Sequence, residues 1–61
     1  MTKKHYELVA KTINENLNLT KHRASEYYIN GITNQTIALA NAFEKENPRF
    51  NRSKFLAVAL A

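Results

Sequence analysis

The chain has 61 residues, a formal net charge of +4, no Asp and no Cys. The missing Cys excludes disulfides and Cys-based metal sites, which are the usual supports of small secreted domains. A chain of this length buries only about 60% of the surface that its unfolded form exposes, so we expect one small all-α domain over residues 1–61, helped by association.

Charge is unevenly distributed along the chain. Residues 1–23 hold five Lys or Arg against two Glu, residues 24–48 hold one Lys against three Glu, and residues 49–61 hold three cations and no acid. If the two basic ends meet in the fold, they form one cationic patch that attracts nucleic acid or an acidic protein surface. The alternative is a solubilising face without a ligand.

Hydropathy gives no sign of a membrane segment. The opening residues "MTKKHYELVAK" lack the apolar core of a signal peptide, and no stretch approaches the roughly 20 apolar residues of a membrane span. We therefore expect a cytoplasmic protein without membrane contact.

The first predicted helix covers residues 3–17. Thr2 can cap it, and its apolar stripe consists of Tyr6, Leu8, Val9, Ile13 and Leu17. The following residues, "NLNLTKH", are rich in Asn and Thr, which favour turns over helix interiors. We expect a loop at about 17–21.

The second predicted helix is long, covering about residues 21–46. Its apolar stripe consists of Ala24, Tyr28, Ile32, Thr36, Leu39, Ala40 and Phe43. The stripe keeps phase across Gly31, which favours one continuous helix that can kink there, because an interior Gly costs only about 1 kcal/mol. The alternative ends one helix at Asn30 and Gly31 and begins another at Thr33.

A sharp corner follows the second helix. Pro48 disfavours helical backbone in the residue before it and lacks an amide donor, so the helix must end near Glu46. Asn51 can cap a third helix, and Phe50 and Phe55 have the spacing of a hydrophobic staple around that cap.

The third predicted helix, residues 51–60, is apolar on nearly all sides. Such a helix lies either in the centre of a core or against another chain. We expect a homodimer whose interface contains Phe55, Leu56, Val58 and Leu60. The alternative is a terminal helix that packs on one side and frays at its end.

Three cations, Arg49, Arg52 and Lys54, surround the start of the third helix. The free amides and positive dipole end of a helix N-terminus make such a corner suitable for anions, including nucleic-acid phosphates. The interpretation that we favour pairs Arg49 and Arg52 with Glu44 or Glu46 across the turn, where the opposite charges neutralise each other.

The residue types give little support to catalysis. The chain has no Cys nucleophile and no Asp, and its single Gly excludes a Gly-rich phosphate loop. His5 and His22 lie in different elements without metal-ligand spacing. We expect a non-enzyme that needs no cofactor and no metal.

Two kinds of binding residue stand out. In the interrupted-helix alternative, Asn34 and Gln35 begin a recognition helix that can read adenine edges, although no cation lies between Arg23 and Lys45 to hold phosphates. For a protein partner, we expect Tyr27 to be an exposed contact.

Four cations accompany that tyrosine in the predicted protein-binding surface: Lys3, Lys4, Lys21 and Arg23. Aromatic and cationic residues of this kind are enriched at interfaces. The alternative is that the tyrosine is a half-buried packing residue.

The last third of the chain resembles the end of many short phage and prophage open reading frames. In these, an Ala-rich helix runs into Asn-Pro-Arg-Phe, an acidic or Asn cap, Arg, two variable residues and Phe-Leu, as in "ANAFEKENPRFNRSKFLAVAL" within residues 38–60. The matching residues are Asn47, Pro48, Arg49, Phe50, Asn51, Arg52, Phe55 and Leu56. The start "KKHYELVAKTI" is also similar, whereas Asp is commoner at the cap and the usual terminal Cys is absent.

This resemblance implies a small, helical, non-enzymatic accessory protein in the cytoplasm of a bacterial host cell. By analogy, it suggests stoichiometric binding to a host protein or protein–nucleic-acid complex, for example inhibition of a defence complex as anti-CRISPR proteins do. The alternative hypothesis is a small basic, helix-turn-helix-like regulator that binds nucleic acid directly.

Overall fold

The computed structural model describes residues 2–20, 23 and 25–61. Three helices account for most of this part of the chain: α1 (Lys3–Thr20), α2 (Glu26–Glu46) and α3 (Arg52–Ala59). The predicted all-α, three-helix architecture is therefore confirmed. The shape is elongated, with extents of 35 × 18 × 15 Å.

The first helix is longer than predicted. The expected loop at 17–21 is wrong for residues 17–20, which are helical, whereas Lys21 lies outside the described residues. Side chains support this last turn: Nδ2 of Asn18 donates to Oδ1 of Asn14 at 3.1 Å, and the Thr20 hydroxyl donates to the Asn16 carbonyl at 2.9 Å. The turn-favouring residues thus satisfy their polar groups within the helix.

The second helix begins later than predicted. Ser25 is extended and is its N-cap, with Oγ accepting from the Tyr28 amide at 3.3 Å. The prediction of helix from residue 21 is wrong at Arg23, which lies in a turn, and at Ser25. Lys21, His22 and Ala24 lie outside the described part of the chain.

Gly31 lies inside α2, which runs from Glu26 to Glu46 as one helix. The Thr33 hydroxyl donates to the Ile29 carbonyl at 3.0 Å, four residues back, as expected for a helix interior. Thr33 is therefore not an N-cap, and the alternative with a turn at Asn30 and Gly31 is wrong. The predicted kink at Gly31 remains a prediction.

The corner between α2 and α3 agrees with the sequence. α2 ends at Glu46, just before Pro48, and Oδ1 of Asn51 accepts from the Lys54 amide at 3.0 Å as the N-cap of α3. The rings of Phe50 and Phe55 lie 5.4 Å apart between centroids, so the predicted staple is formed.

The core lies at one end of the molecule, where the start of α1 and the end of α2 meet α3. Its buried members are Ala10, Ala40, Phe50, Phe55 and Ala59. α1 and α2 run antiparallel, and each packs more extensively on α3 than on the other. α3 thus contacts both other helices and buries Phe55 and Ala59, whereas its Ala57 and Val58 remain exposed.

Among the described residues of the predicted apolar stripes, two are exposed. Leu8 is 61% exposed because it lies about 200° around the helix from Tyr6, on the solvent side of α1. Tyr28 is half exposed because it lies near the start of α2, and α3 packs at the opposite end. The short α3, only about 12 Å long, leaves the other end of the longer α1 and α2 without a third helix.

Candidate functional site

A groove of about 340 Å³ lies between the first turns of α1 and the segment that joins α2 to α3. We call it the cationic groove, and the residues that line it are Lys3, Tyr6, Glu7, Ala10, Asn47, Arg49, Phe50, Asn51, Lys54, Phe55 and Val58. The fold positions it directly over the aromatic part of the core. Both basic ends of the chain contribute to it.

The floor of the groove is apolar and rigidly packed. Tyr6 contacts Phe50 with ring centroids 4.5 Å apart, and Phe50 in turn contacts Phe55. Phe43 supports this group from α2, with centroids 5.0 Å from Tyr6 and 5.6 Å from Phe55. Aromatic pairs in tilted and edge-to-face arrangements stabilise each other beyond simple burial, so these contacts strengthen the packing of the floor.

The rim of the groove is cationic. Lys3 comes from α1, Arg49 from the corner and Lys54 from the first turn of α3, and Glu7 is the one carboxylate among the lining residues. Within the described residues, no carboxylate lies within 4.0 Å of these three cations. The two basic ends of the chain thus meet at this groove, as the cationic patch considered from the sequence requires.

Two asparagines in the groove wall hold the corner in shape. Oδ1 of Asn47 accepts from the Arg49 amide at 3.1 Å, and Oδ1 of Asn51 caps α3 through the Lys54 amide. Both bonds fix the backbone of a residue that carries a rim cation. The corner thus positions Arg49 and Lys54 at the groove.

Arg52 does not belong to the groove. Its Nε donates to Oδ1 of Asn41 on α2 at 2.8 Å. In the described part of the chain, neither Arg49 nor Arg52 has a carboxylate within 4.0 Å, so the predicted pairing with Glu44 or Glu46 is wrong. The reason is geometric: the angle between α2 and α3 brings Arg52 to an amide one turn before the glutamates.

The predicted partner-binding residues are dispersed. Lys3 lines the groove, whereas the neighbouring Lys4 is exposed but is not among the lining residues. Tyr27 is 90% exposed at the far end of the molecule, and Arg23 is exposed in the connection before α2. Lys21 lies outside the described residues. Tyr27 is thus available for contact, but the structure does not place it with the lysines of α1.

The residues predicted to read bases lie on the middle of α2. Asn34 and Gln35 are exposed and are not among the residues that line the groove. Because α2 is continuous, neither residue stands at the start of a helix. They and the groove cations therefore belong to separate surfaces.

The predicted dimer surface is mostly used inside the protein itself. Phe55 is only 5% exposed, and Leu56 and Leu60 pack against the core, which leaves Val58, 44% exposed, as the open apolar position. Phe55 is therefore unavailable to a second copy in this fold. The homodimer itself remains a prediction.

Sequence reasoning missed several groove residues. The sequence places Tyr6 in an apolar stripe and Val58 in a dimer interface and assigns no role to Glu7, yet all three line one groove. The signal for Tyr6 was its place on the core stripe near the basic N-terminal end. No local signal connects α1 with the corner, because that contact depends on how α3 packs.

Comparison with protein-family models, curated proteins and solved structures found no match to this chain. In the described ranges, none of the three helices combines the length with the apolar character needed to cross a bilayer. The same residues contain no group of three or more potential metal ligands.

Proposed function

We propose that this protein is a non-enzymatic, phage-type accessory protein that binds a host protein or protein–nucleic-acid complex stoichiometrically in the bacterial cytoplasm. Inhibition of a host defence complex is the form of this function that the resemblance suggests. The observation that supports binding is the cationic groove, where an apolar floor lies under cations from both ends of the chain. Protein interfaces commonly combine a rigid apolar centre with a charged rim.

Affinity capture from lysates of candidate bacterial hosts tests this proposal. We expect a tagged copy to retain a defined protein in a fixed molar ratio, and a Lys3→Ala/Arg49→Ala variant to retain less of it. The matched control is Lys11→Ala/Lys45→Ala, which removes the same charge from exposed positions outside the groove. Recovery of the same nonspecific proteins by all three forms would contradict the proposal.

Direct binding of nucleic acid is the second candidate. The observation that favours it is that Lys3, Arg49 and Lys54 line one groove. If these three cations neutralise three phosphates, the logarithm of the binding constant should fall linearly with the logarithm of the salt concentration. The slope should be about −3 or shallower. A gel shift that weakens in this way and is lost on Arg49→Glu/Lys54→Glu would support it, whereas no shift at low salt would exclude it.

A further inference from the structure

We propose that the cationic groove binds an acidic peptide segment of a partner protein through one apolar anchor side chain. This inference rests on the proposed function, because it specifies the partner chemistry for a protein that acts by binding. It is carried by three properties of the groove: its size, the charge of its rim and the packing of its floor.

The groove is large enough to take one apolar side chain of a peptide. Sites that enclose small molecules usually measure about 300–1,000 Å³, and this groove, at about 340 Å³, is at the lower end of that range. Val58, 44% exposed, and the half-buried Tyr6 are among the residues that line it. A single Leu or Phe of a peptide can pack its side chain against them.

The rim selects for acidic residues beside that anchor. Lys3, Arg49 and Lys54 outnumber the single carboxylate, Glu7, and none of the three has a carboxylate within 4.0 Å among the described residues. The cations come from α1, the corner and α3, so they reach the groove from three separate parts of the chain. Carboxylates on both sides of the anchor can therefore meet a cation.

The packing of the floor disfavours single-stranded nucleic acid as the occupant. Proteins that bind single strands stack bases on open aromatic faces. Here Phe50 and Phe55 are 8% and 5% exposed and pack against each other, which leaves the half-buried Tyr6 as the one lining ring that a base can reach. An aliphatic or aromatic anchor needs only the apolar surface that the groove presents.

Fluorescence anisotropy with short labelled peptides tests the inference on the full chain. The probe carries Glu residues on both sides of one central Leu, and its two matched controls replace the Leu by Ser or every Glu by Lys. We expect the probe to bind, the Ser control to bind about 10-fold more weakly, and the Lys control not to bind. Added salt should weaken binding of the probe.

Variants of the protein locate the binding site. Lys3→Ala and Arg49→Ala should each weaken probe binding by about 2- to 5-fold, and Glu7→Gln should tighten it, because these side chains are the charges of the rim. Lys45→Ala, on an exposed part of α2 outside the groove, should leave it unchanged. Circular dichroism confirms that each variant keeps its helices.

Three results would overturn the inference: no binding of the probe, equal binding by the groove variants, or displacement of the probe by an oligonucleotide that binds more tightly. A fourth contrary result can come from sedimentation at several protein concentrations. A dimer that the probe dissociates would show that a second copy of the chain occupies the groove. If the probe does not bind but lysate capture of a host protein persists, the proposed function stands and the groove assignment fails.

Discussion

Arg52 on α3 donates from Nε to Oδ1 of Asn41 on α2 across a distance of 2.8 Å. This bond joins the two helices beyond the corner and replaces the ion pairs that the sequence suggested. A hydrogen bond from a charged donor to a neutral amide depends on direct contact, whereas an ion pair also acts over longer distances. The difference can be measured.

Loss of the Asn41 amide should destabilise the protein more than loss of a nearby charge. We expect Asn41→Ala to lower the free energy of unfolding by about 1 kcal/mol, since a typical net hydrogen bond contributes about 0.5–1.5 kcal/mol. Glu44→Gln is the control and should change it by less than about 0.5 kcal/mol. Urea unfolding measures both, and a larger effect of Glu44→Gln would restore the ion-pair interpretation.

Truncation of Phe55 should remove most of the stability. Its ring is buried between the rings of Phe43 and Phe50, so Phe55→Ala should cost about 3–5 kcal/mol, a large part of the total for so short a chain. Val58→Ala, one turn further along α3 and half exposed, should cost less than about 1 kcal/mol. Thermal unfolding followed by circular dichroism compares them, and similar midpoints would argue against a core centred on Phe55.

The cap of α3 should tolerate Asp but not Ala. Oδ1 of Asn51 accepts from the Lys54 amide at 3.0 Å, so Asn51→Ala should cost about 1 kcal/mol, whereas Asn51→Asp keeps an acceptor at the same place. Urea unfolding measures the stability of both variants. If they lose equal free energy of unfolding, the amide nitrogen of Asn51, and not its oxygen, stabilises the start of α3.

A methyl group at Gly31 should stabilise the protein. Gly31 is exposed in the interior of α2, has no positive φ, and an added Cβ would meet no atom within 4 Å outside its own helix backbone and chain neighbours. Gly31→Ala should therefore raise the free energy of unfolding by up to about 1 kcal/mol. A loss of stability instead would mean that α2 needs a non-helical backbone at this residue.

Sequence reasoning succeeded where the signals are local. Pro48, Asn51 and the Phe50 and Phe55 pair act within ten residues of chain, so the corner could be predicted in detail. It failed where the outcome depends on contacts that are distant in sequence. The partner of Arg52 is eleven residues away, and its identity is fixed only by the angle between α2 and α3.

In the candidate site, too, local features could be predicted and long-range contacts could not. The two basic ends were visible in the sequence, but their meeting depends on α3 packing against both other helices. Helix ends were harder to predict than helix existence: the sequence analysis begins the second helix at about residue 21, whereas the extended backbone at Ser25 makes that residue its N-cap.

The position of α3 at one end of the molecule also has a kinetic consequence. The core is built from residues within 6–13 of α1, 39–43 of α2 and 50–60, whereas the last turn of α1 and the first turns of α2 contribute no residue to it. Backbone amides near Leu19 and Tyr28 should therefore exchange with deuterium through local opening, ahead of those near Phe43 and Leu56, which require global unfolding. The groove lies at the slowly exchanging end, so its shape persists while the other end opens and closes.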